Sequence, residues 1–168
     1  LGLGGVKLLN ALKITPSVFH INEGRPGFII WEIVSEIMKS ENVSFEKAWT
    51  LAKEKIVYTN HTLVSAGNLT YPSETVRWWA TPFAKNFGVD PQLLIKDGLT
   101  DPQTFSITLF ALNISKRHSA VSKVHGEYCK KEWSNFDWVS ITNGVNMLRW
   151  QDSDFRNPEM ADSGLWNL

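Results

Sequence analysis

Ile56-Val57-Tyr58-Thr59-Asn60-His61-Thr62 decides the fold class, because a short β-branched run ends there in an amide, an imidazole and a hydroxyl. A loop containing Ala66-Gly67-Asn68 follows it. In open α/β sheets, ligands bind at the carboxyl ends of the strands. The stretch therefore predicts a buried strand that delivers His61 to a binding site. On spacing alone, a histidine that only caps the strand is the commoner arrangement.

Two further strands are predicted to end in polar turns. Ser17-Val18-Phe19-His20-Ile21 has the composition of a short buried strand and runs into Asn22-Glu23-Gly24-Arg25. Val139-Ser140-Ile141-Thr142 is followed by Asn143-Gly144, a dipeptide typical of turns. Glu23 could cap the following helix and pair with the nearby arginine, or the turn could bind an oxygen-rich ligand. The residues leave both readings open.

Apolar residues at helical spacing separate these strands. One predicted helix begins near Gly4, and others cover residues 29–38, 44–55, 71–87, 91–97, 105–114 and 123–133. Ser44 and Asp90 are the expected N-caps of two of them. Residues 119–122 form either a short strand or a turn. Helices that alternate with strands predict a helix-rich α/β fold with short parallel strands. Because no repeat or linker interrupts the pattern, we expect one compact unit over residues 1–168.

The predicted binding site lies at the carboxyl ends of the strands, because neighbouring parallel strands bring these ends to one edge of the sheet. Amides, a carboxylate and a histidine suit hydroxyl-rich ligands, whose hydroxyl groups need paired donors and acceptors. The residues expected to converge are Asn22, Glu23, Arg25, Asn60, His61, Thr62, Thr142 and Asn143.

Composition excludes several other classes of protein. Seventeen basic and 17 acidic residues balance, so nothing indicates a nucleic-acid partner. The single cysteine, Cys129, allows no internal disulfide and suits a reducing, cytoplasmic compartment. The four histidines are scattered, which argues against a metal site, and no apolar run is long enough to span a membrane. Most of the eight tryptophans are expected to be core and interface residues, although some could stack on sugar rings.

Both ends of the sequence suggest a piece of a longer polypeptide. The chain begins at Leu1, inside the front of a predicted helix. It stops at Leu165-Trp166-Asn167-Leu168, which has the pattern of another helix beginning.

Five short motifs, in the right order along the chain, resemble those of the α-glucan phosphorylases, the glycogen, starch and maltodextrin enzymes. They are Leu1-Gly2-Leu3-Gly4-Gly5-Val6, His20-Ile21-Asn22-Glu23-Gly24, Tyr58-Thr59-Asn60-His61-Thr62, Val121-Ser122-Lys123-Val124-His125-Gly126-Glu127 and Ile141-Thr142-Asn143-Gly144-Val145. Each motif is weak alone, but the ordered set covers nearly the whole chain and is specific.

The resemblance implies an incomplete portion of the Rossmann-like N-terminal domain of a two-domain GT-B-type glycosyltransferase. Such enzymes transfer a terminal glucosyl unit from an α-1,4-glucan to inorganic phosphate and release glucose 1-phosphate. His61 matches a catalytic histidine that binds the glucosyl unit through its ring and its backbone carbonyl. The resemblance also implies a substrate-binding group: Asn22, Glu23, Arg25, Asn60, Thr62 and Asn143.

The resemblance further implies a pyridoxal 5'-phosphate cofactor, held on a lysine of a C-terminal domain. No segment of this sequence resembles the family's lysine-bearing turn, so we expect the chain alone to be inactive and to bind neither cofactor nor phosphate competently. The full-length enzyme is expected to be cytoplasmic and could be a homodimer.

Three departures from the family's pattern leave alternatives open. Arg25 and Asn146 stand where the family has histidines, and Leu63 and Ser65 replace prolines after His61. A non-catalytic, truncated module that binds glucan or mediates assembly is therefore the alternative function. A nucleotide-sugar glycosyltransferase is a third hypothesis, but its glycine- and lysine-rich entrance is not seen in the sequence.

Overall fold

A computed structural model describes residues 1–152 of the chain. The helix predicted to begin at Leu165-Trp166-Asn167-Leu168 lies outside the described residues. The α-helices are α1 Gly2–Ala11, α2 Ile29–Glu41, α3 Phe45–Glu54, α4 Ser73–Phe87, α5 Pro91–Ile95, α6 Ile107–Asn113, α7 Lys123–Glu132 and α8 Met147–Trp150. The strands are β1 Phe19–Asn22, β2 Ile56–Asn60, β3 Thr70–Pro72, β4 Leu99–Asp101, β5 Thr104–Ser106, β6 Arg117–Ala120 and β7 Trp138–Ser140. Short 3-10 helices cover Arg25–Phe28, Ser65–Gly67 and Lys96–Gly98.

Four short strands form a parallel sheet in the order β1-β2-β6-β7. In this register, Asn22 lies beside Thr59, and Asn60 lies beside Ala120. The carboxyl ends of all four strands therefore meet at one edge of the sheet. The prediction of a helix-rich α/β fold with short parallel strands is confirmed. Of residues 119–122, the first two end strand β6 and the last two form the turn before α7.

A second sheet was not predicted from the sequence. Strands β3, β5 and β4 pair antiparallel, and Phe105 lies in β5 instead of in the predicted helix 105–114. The Asp101 carboxylate accepts hydrogen bonds from the backbone N–H groups of Gln103 at 2.8 Å and Thr104 at 3.0 Å. This closes a turn between β4 and β5, so the helix begins only at Ile107.

Polar residues cap the helices where the sequence indicated. Ser44 accepts a hydrogen bond from the backbone N–H of Lys47 and caps α3. The Asp90 carboxylate accepts from the backbone N–H of Gln92 at 2.7 Å and caps α5, whose first residue is Pro91. Both caps satisfy N–H groups that have no partner inside the helix, and both were predicted.

Aromatic side chains form the centre of the core. Trp31 of α2 is 1% exposed, and its indole N–H donates to the backbone carbonyl of Leu94 at 3.2 Å. The Phe28 ring lies 4.7 Å from the Trp31 ring between centroids, and Phe105 lies 5.2 Å from Phe110. The Trp31 ring also lies 6.5 Å from Phe110, and Phe28 stacks 6.0 Å from Phe105, so the cluster joins α2 to α6 and to the second sheet.

The tryptophans are divided between core and surface. Among residues 1–152, Trp31, Trp49 and Trp138 are buried. Trp78 and Trp150 are instead mainly exposed. No helix within residues 1–152 is both long enough and apolar enough to cross a bilayer.

Candidate functional site

The turns that follow β1 and β2 meet at His61. The His61 backbone N–H donates to Oε1 of Glu23 at 2.7 Å. The His61 ring Nε2 lies 3.0 Å from Oδ1 of Asn22. Asn22 and His61 are both exposed, whereas Glu23 is half-buried. Three of the predicted site residues therefore form one hydrogen-bonded group at the carboxyl ends of β1 and β2.

Glu23 adopts an uncommon backbone conformation for a residue with a side chain. Its φ is +63°, in the left-handed region, and its N–H donates to the Thr59 carbonyl at 3.0 Å. The next residue, Gly24, packs so closely that an added Cβ would lie 2.8 Å from the Ile107 carbonyl. The β1 ladder thus extends to Glu23, where the chain turns sharply and directs the carboxylate toward His61.

Neither helix capping by Glu23 nor its pairing with Arg25, the first reading of this turn, is found in the described residues. The 3-10 helix after it has Gly24 at its N-cap and no side-chain cap. Among residues 1–152, Arg25 forms no ion pair with Glu23, whose carboxylate bonds to His61. Arg25 is exposed on the 3-10 helix, and in the described part of the chain no hydrogen bond or ion pair joins it to Asn22, Glu23 or His61.

Asn60 lies under the site and faces the interior. It is fully buried, and its amide N–H donates to the Tyr58 hydroxyl at 2.9 Å. Its Oδ1 accepts from the Cys129 thiol at 3.8 Å. Because successive strand residues point to opposite faces, Tyr58 and Asn60 share the covered face while His61 points outward. The structure therefore places the Asn60 side chain behind His61, away from solvent.

Burial keeps this inner network uncharged. Burial raises the pKa of Cys129 to about 11, and the negative charge of Glu23 adds to that rise. Burial also raises the pKa of Tyr58 far above its ordinary value, although its hydrogen bond with Asn60 opposes part of the change. Both groups remain protonated near neutral pH, so each can donate a hydrogen bond.

The end of β6 brings a second histidine to the site. Ser122 caps α7 by accepting from the backbone N–H of His125 at 3.1 Å. The His125 ring Nδ1 lies 3.8 Å from the Cys129 thiol. Burial lowers the pKa of His125, the charge of Glu23 opposes this, and His61 lowers it further. Three strand ends thus interact electrostatically around Glu23.

Sequence reasoning noted His125 only as part of a motif and did not assign it to the site. Its position in the first turn of the helix that leaves β6 was the available signal, since that turn opens at the same sheet edge. Cys129, one helical turn further on, is buried.

The remaining predicted residues occupy the rim. Thr62 follows His61, and its methyl group lies against Gly67, where an added Cβ would be 2.2 Å away. Asn143 is exposed, and its backbone N–H donates to the Val121 carbonyl at 3.1 Å, which fastens the turn after β7 beside the end of β6. No hydrogen bond joins the side chains of Thr62 or Asn143 to His61 in the part of the chain that the structure describes.

Comparison with known proteins identifies the family. The model of the family described as carbohydrate phosphorylase matches residues 9–81, which include Asn22, Glu23 and His61. Maltodextrin phosphorylase of Thermococcus litoralis is 31% identical over 93% of this chain and 19% of its own length. The chain belongs to the carbohydrate phosphorylase family.

Other phosphorylases show similar likeness. Glycogen phosphorylase of Aquifex aeolicus is 31% identical over 93% of the chain and 24% of its own length. Glycogen phosphorylase of Mycobacterium tuberculosis is 30% identical over 89% of the chain and 20% of its own length. The resemblance inferred from the sequence is thus confirmed. The chain spans about a fifth of the length of these phosphorylases.

Proposed function

We propose that this chain supplies the sugar-binding side of the catalytic cleft in an α-1,4-glucan phosphorylase. The substrate would be glycogen, starch or maltodextrin, and the reaction would release glucose 1-phosphate with inorganic phosphate as the acceptor. The observation that carries the proposal is the fixed position of His61, which is held at both its ring and its backbone N–H by the turn after β1.

The chemistry of the site suits a sugar. The His61 ring, the side-chain N–H₂ of Asn22 and the second carboxylate oxygen of Glu23 offer both donors and acceptors at an exposed edge. Glucosyl hydroxyls both donate and accept hydrogen bonds, so they need such mixed partners. We assign His61 the catalytic role and place Asn22, Glu23, Arg25, Thr62 and Asn143 on the substrate side, with Asn60 supporting them from behind.

We further propose that residues 1–168 are one incomplete portion of the Rossmann-like N-terminal domain of a GT-B-type enzyme. The parallel order β1-β2-β6-β7, with polar turns at the carboxyl ends, supports this. The complete enzyme would be cytoplasmic, and a homodimer is possible on family grounds. Its C-terminal domain would complete the cleft opposite His61.

The expected cofactor, pyridoxal 5'-phosphate, requires a lysine amine for covalent attachment. The hydrogen-bonded side chains around His61 are amides, a carboxylate, a phenol, a thiol and imidazoles, and none in the described range is a lysine. This group does not fit the cofactor. We therefore propose that a different portion of the longer enzyme binds it, and that this chain alone is inactive.

The test uses the polypeptide encoded by the complete reading frame. Incubated with maltodextrin and orthophosphate, it should release glucose 1-phosphate and show the absorbance of bound pyridoxal phosphate. In parallel, nuclear magnetic resonance of the 168-residue chain with maltooligosaccharides should shift signals of residues at the β1 and β2 turns. Glucan binding without phosphorolysis would favour the non-catalytic module, and the absence of both would refute the proposal.

A further inference from the structure

We infer that Asn22 and Glu23 are positioning residues that fix the orientation and the tautomer of His61, so that its ring Nδ1 presents an acceptor to a substrate hydroxyl. The identity of that hydroxyl as part of a glucan rests on the proposed function. The orientation and the tautomer rest only on the geometry of this chain, and they are tested separately.

The tautomer follows from the partner of the ring. An amide oxygen can only accept a hydrogen bond, so Oδ1 of Asn22, 3.0 Å from Nε2, requires that Nε2 carries the proton. In a neutral imidazole the other nitrogen then has a lone pair and no hydrogen. Within residues 1–152, no other hydrogen bond involves the His61 ring, and His61 is exposed. Its Nδ1 is therefore an available acceptor.

The orientation follows from the backbone. The contact between the His61 N–H and the Glu23 carboxylate, at 2.7 Å, is a charge-assisted hydrogen bond and is stronger than a neutral one. The left-handed φ of Glu23 directs this carboxylate toward β2. Two consecutive residues of one turn thus hold the ring and the main chain of His61.

This arrangement discriminates between classes of ligand group. An acceptor nitrogen binds a hydroxyl hydrogen but repels the lone pairs of a phosphate oxyanion. The Nδ1 of His61 therefore favours a hydroxyl hydrogen over a deprotonated phosphate oxygen. Asn22 and Glu23 act through His61 in this respect, which leaves one amide N–H₂ and one carboxylate oxygen for direct contacts.

The tautomer can be measured on the 168-residue chain labelled with ¹⁵N-histidine. Long-range ¹H–¹⁵N correlation spectra distinguish a protonated from an unprotonated ring nitrogen. We expect His61 to show a protonated Nε2 and a bare Nδ1. Asn22→Ala should mix the two tautomers, whereas Asn22→Asp, which keeps an oxygen acceptor, should retain the wild-type pattern. His118, whose Nε2 lies 2.9 Å from the Leu112 carbonyl, is an internal reference that none of these variants should change.

The backbone contact has its own readout. Glu23→Ala should speed hydrogen exchange of the His61 amide about tenfold or more, and Glu23→Gln, which keeps an acceptor oxygen, should largely preserve protection. A protonated Nδ1 in the wild-type chain would overturn the inference, as would unchanged exchange in a folded Glu23→Ala chain. If the alanine variants do not fold, the inference is still tested by the tautomer of the wild-type chain and by the spectra of Asn22→Asp and Glu23→Gln. If the complete enzyme shows no phosphorolysis but the tautomer and exchange results are as expected, only the proposed function is refuted.

Discussion

Glu23 and His61 are 38 residues apart in the chain, yet the Glu23 carboxylate accepts the His61 backbone N–H at 2.7 Å. The contact exists because β1 and β2 are parallel neighbours whose carboxyl ends lie side by side. It joins the turn after the first strand to the residue that opens the second loop. The site is thus a product of strand pairing, and changes to either turn should affect it.

Replacement of His61 tests its chemical role in the complete phosphorylase. We expect His61→Ala to lower kcat/KM at least about tenfold, because one well-formed hydrogen bond to the substrate is lost. The measurement is glucose 1-phosphate release at saturating and limiting maltodextrin. His20→Ala is the matched control, since His20 bonds to Thr59 and not to the His61 group. Wild-type turnover in His61→Ala would contradict the assigned role.

Gly24 should be intolerant of any side chain. An added Cβ would lie 2.8 Å from backbone atoms of Ile107, which cannot move independently of α6. We expect Gly24→Ala to reduce the free energy of unfolding by about 1–3 kcal/mol, as measured by urea denaturation.

Gly5 provides the matched control for this substitution. Its position in α1 is exposed, and an added Cβ would meet nothing within 4 Å. Since alanine favours a helix over glycine, Gly5→Ala should raise the free energy of unfolding by about 0.5–1 kcal/mol. Equal effects of the two substitutions would refute the steric explanation.

Asn60 should matter for stability. Asn60→Ala removes the buried partner of the Tyr58 hydroxyl and of the Cys129 thiol. Because a buried polar group without a partner is costly, we expect a loss of about 1–3 kcal/mol in the free energy of unfolding. Asn86→Ala, on the exposed side of α4, should change it by less than about 0.5 kcal/mol. A neutral Asn60→Ala would show that the inner network is dispensable.

Cys129 should make stability depend on alkaline pH. Its thiol pKa is raised from an ordinary value of 9.0 to about 11 in the folded chain. Between these values the folded state binds more protons than the unfolded state, so stability falls as pH rises. The contribution is complete below about pH 9 and is lost as pH passes through about 11.

The measurement is urea denaturation of wild type and Cys129→Ala across pH 8–11.5. The difference between the two chains should shrink toward alkaline pH, which isolates the thiol from Tyr58. The folded chain should also react slowly with a thiol reagent at neutral pH and rapidly in urea, because the buried thiol is protonated. Rapid reaction of the folded chain would contradict the assigned burial.

Several elements could be predicted because local rules govern them. The β-branched run before Asn60 is a strand, and Ser44 and Asp90 begin helices, since caps act within one turn. The second sheet was missed because its three strands have only three residues each. Strands of three residues are too short to show an alternating pattern. Phe105 happens to stand at helical spacing from the apolar residues of α6, so it was assigned to that helix.

The sequence by itself determined the α/β class and the polar character of the turns after β1 and β2, since the spacing of residues carries that information, and its ordered motifs carried the resemblance to the family. Only the tertiary structure decided what those polar groups do. Alternation along β2 turned Asn60 inward to Tyr58 and left His61 outside. Because β1 pairs with β2, the Glu23 carboxylate bonds to the His61 backbone N–H, and the Asn22 side-chain oxygen bonds to the His61 ring. Such pairings depend on which strands are neighbours, a long-range property that no local pattern contains.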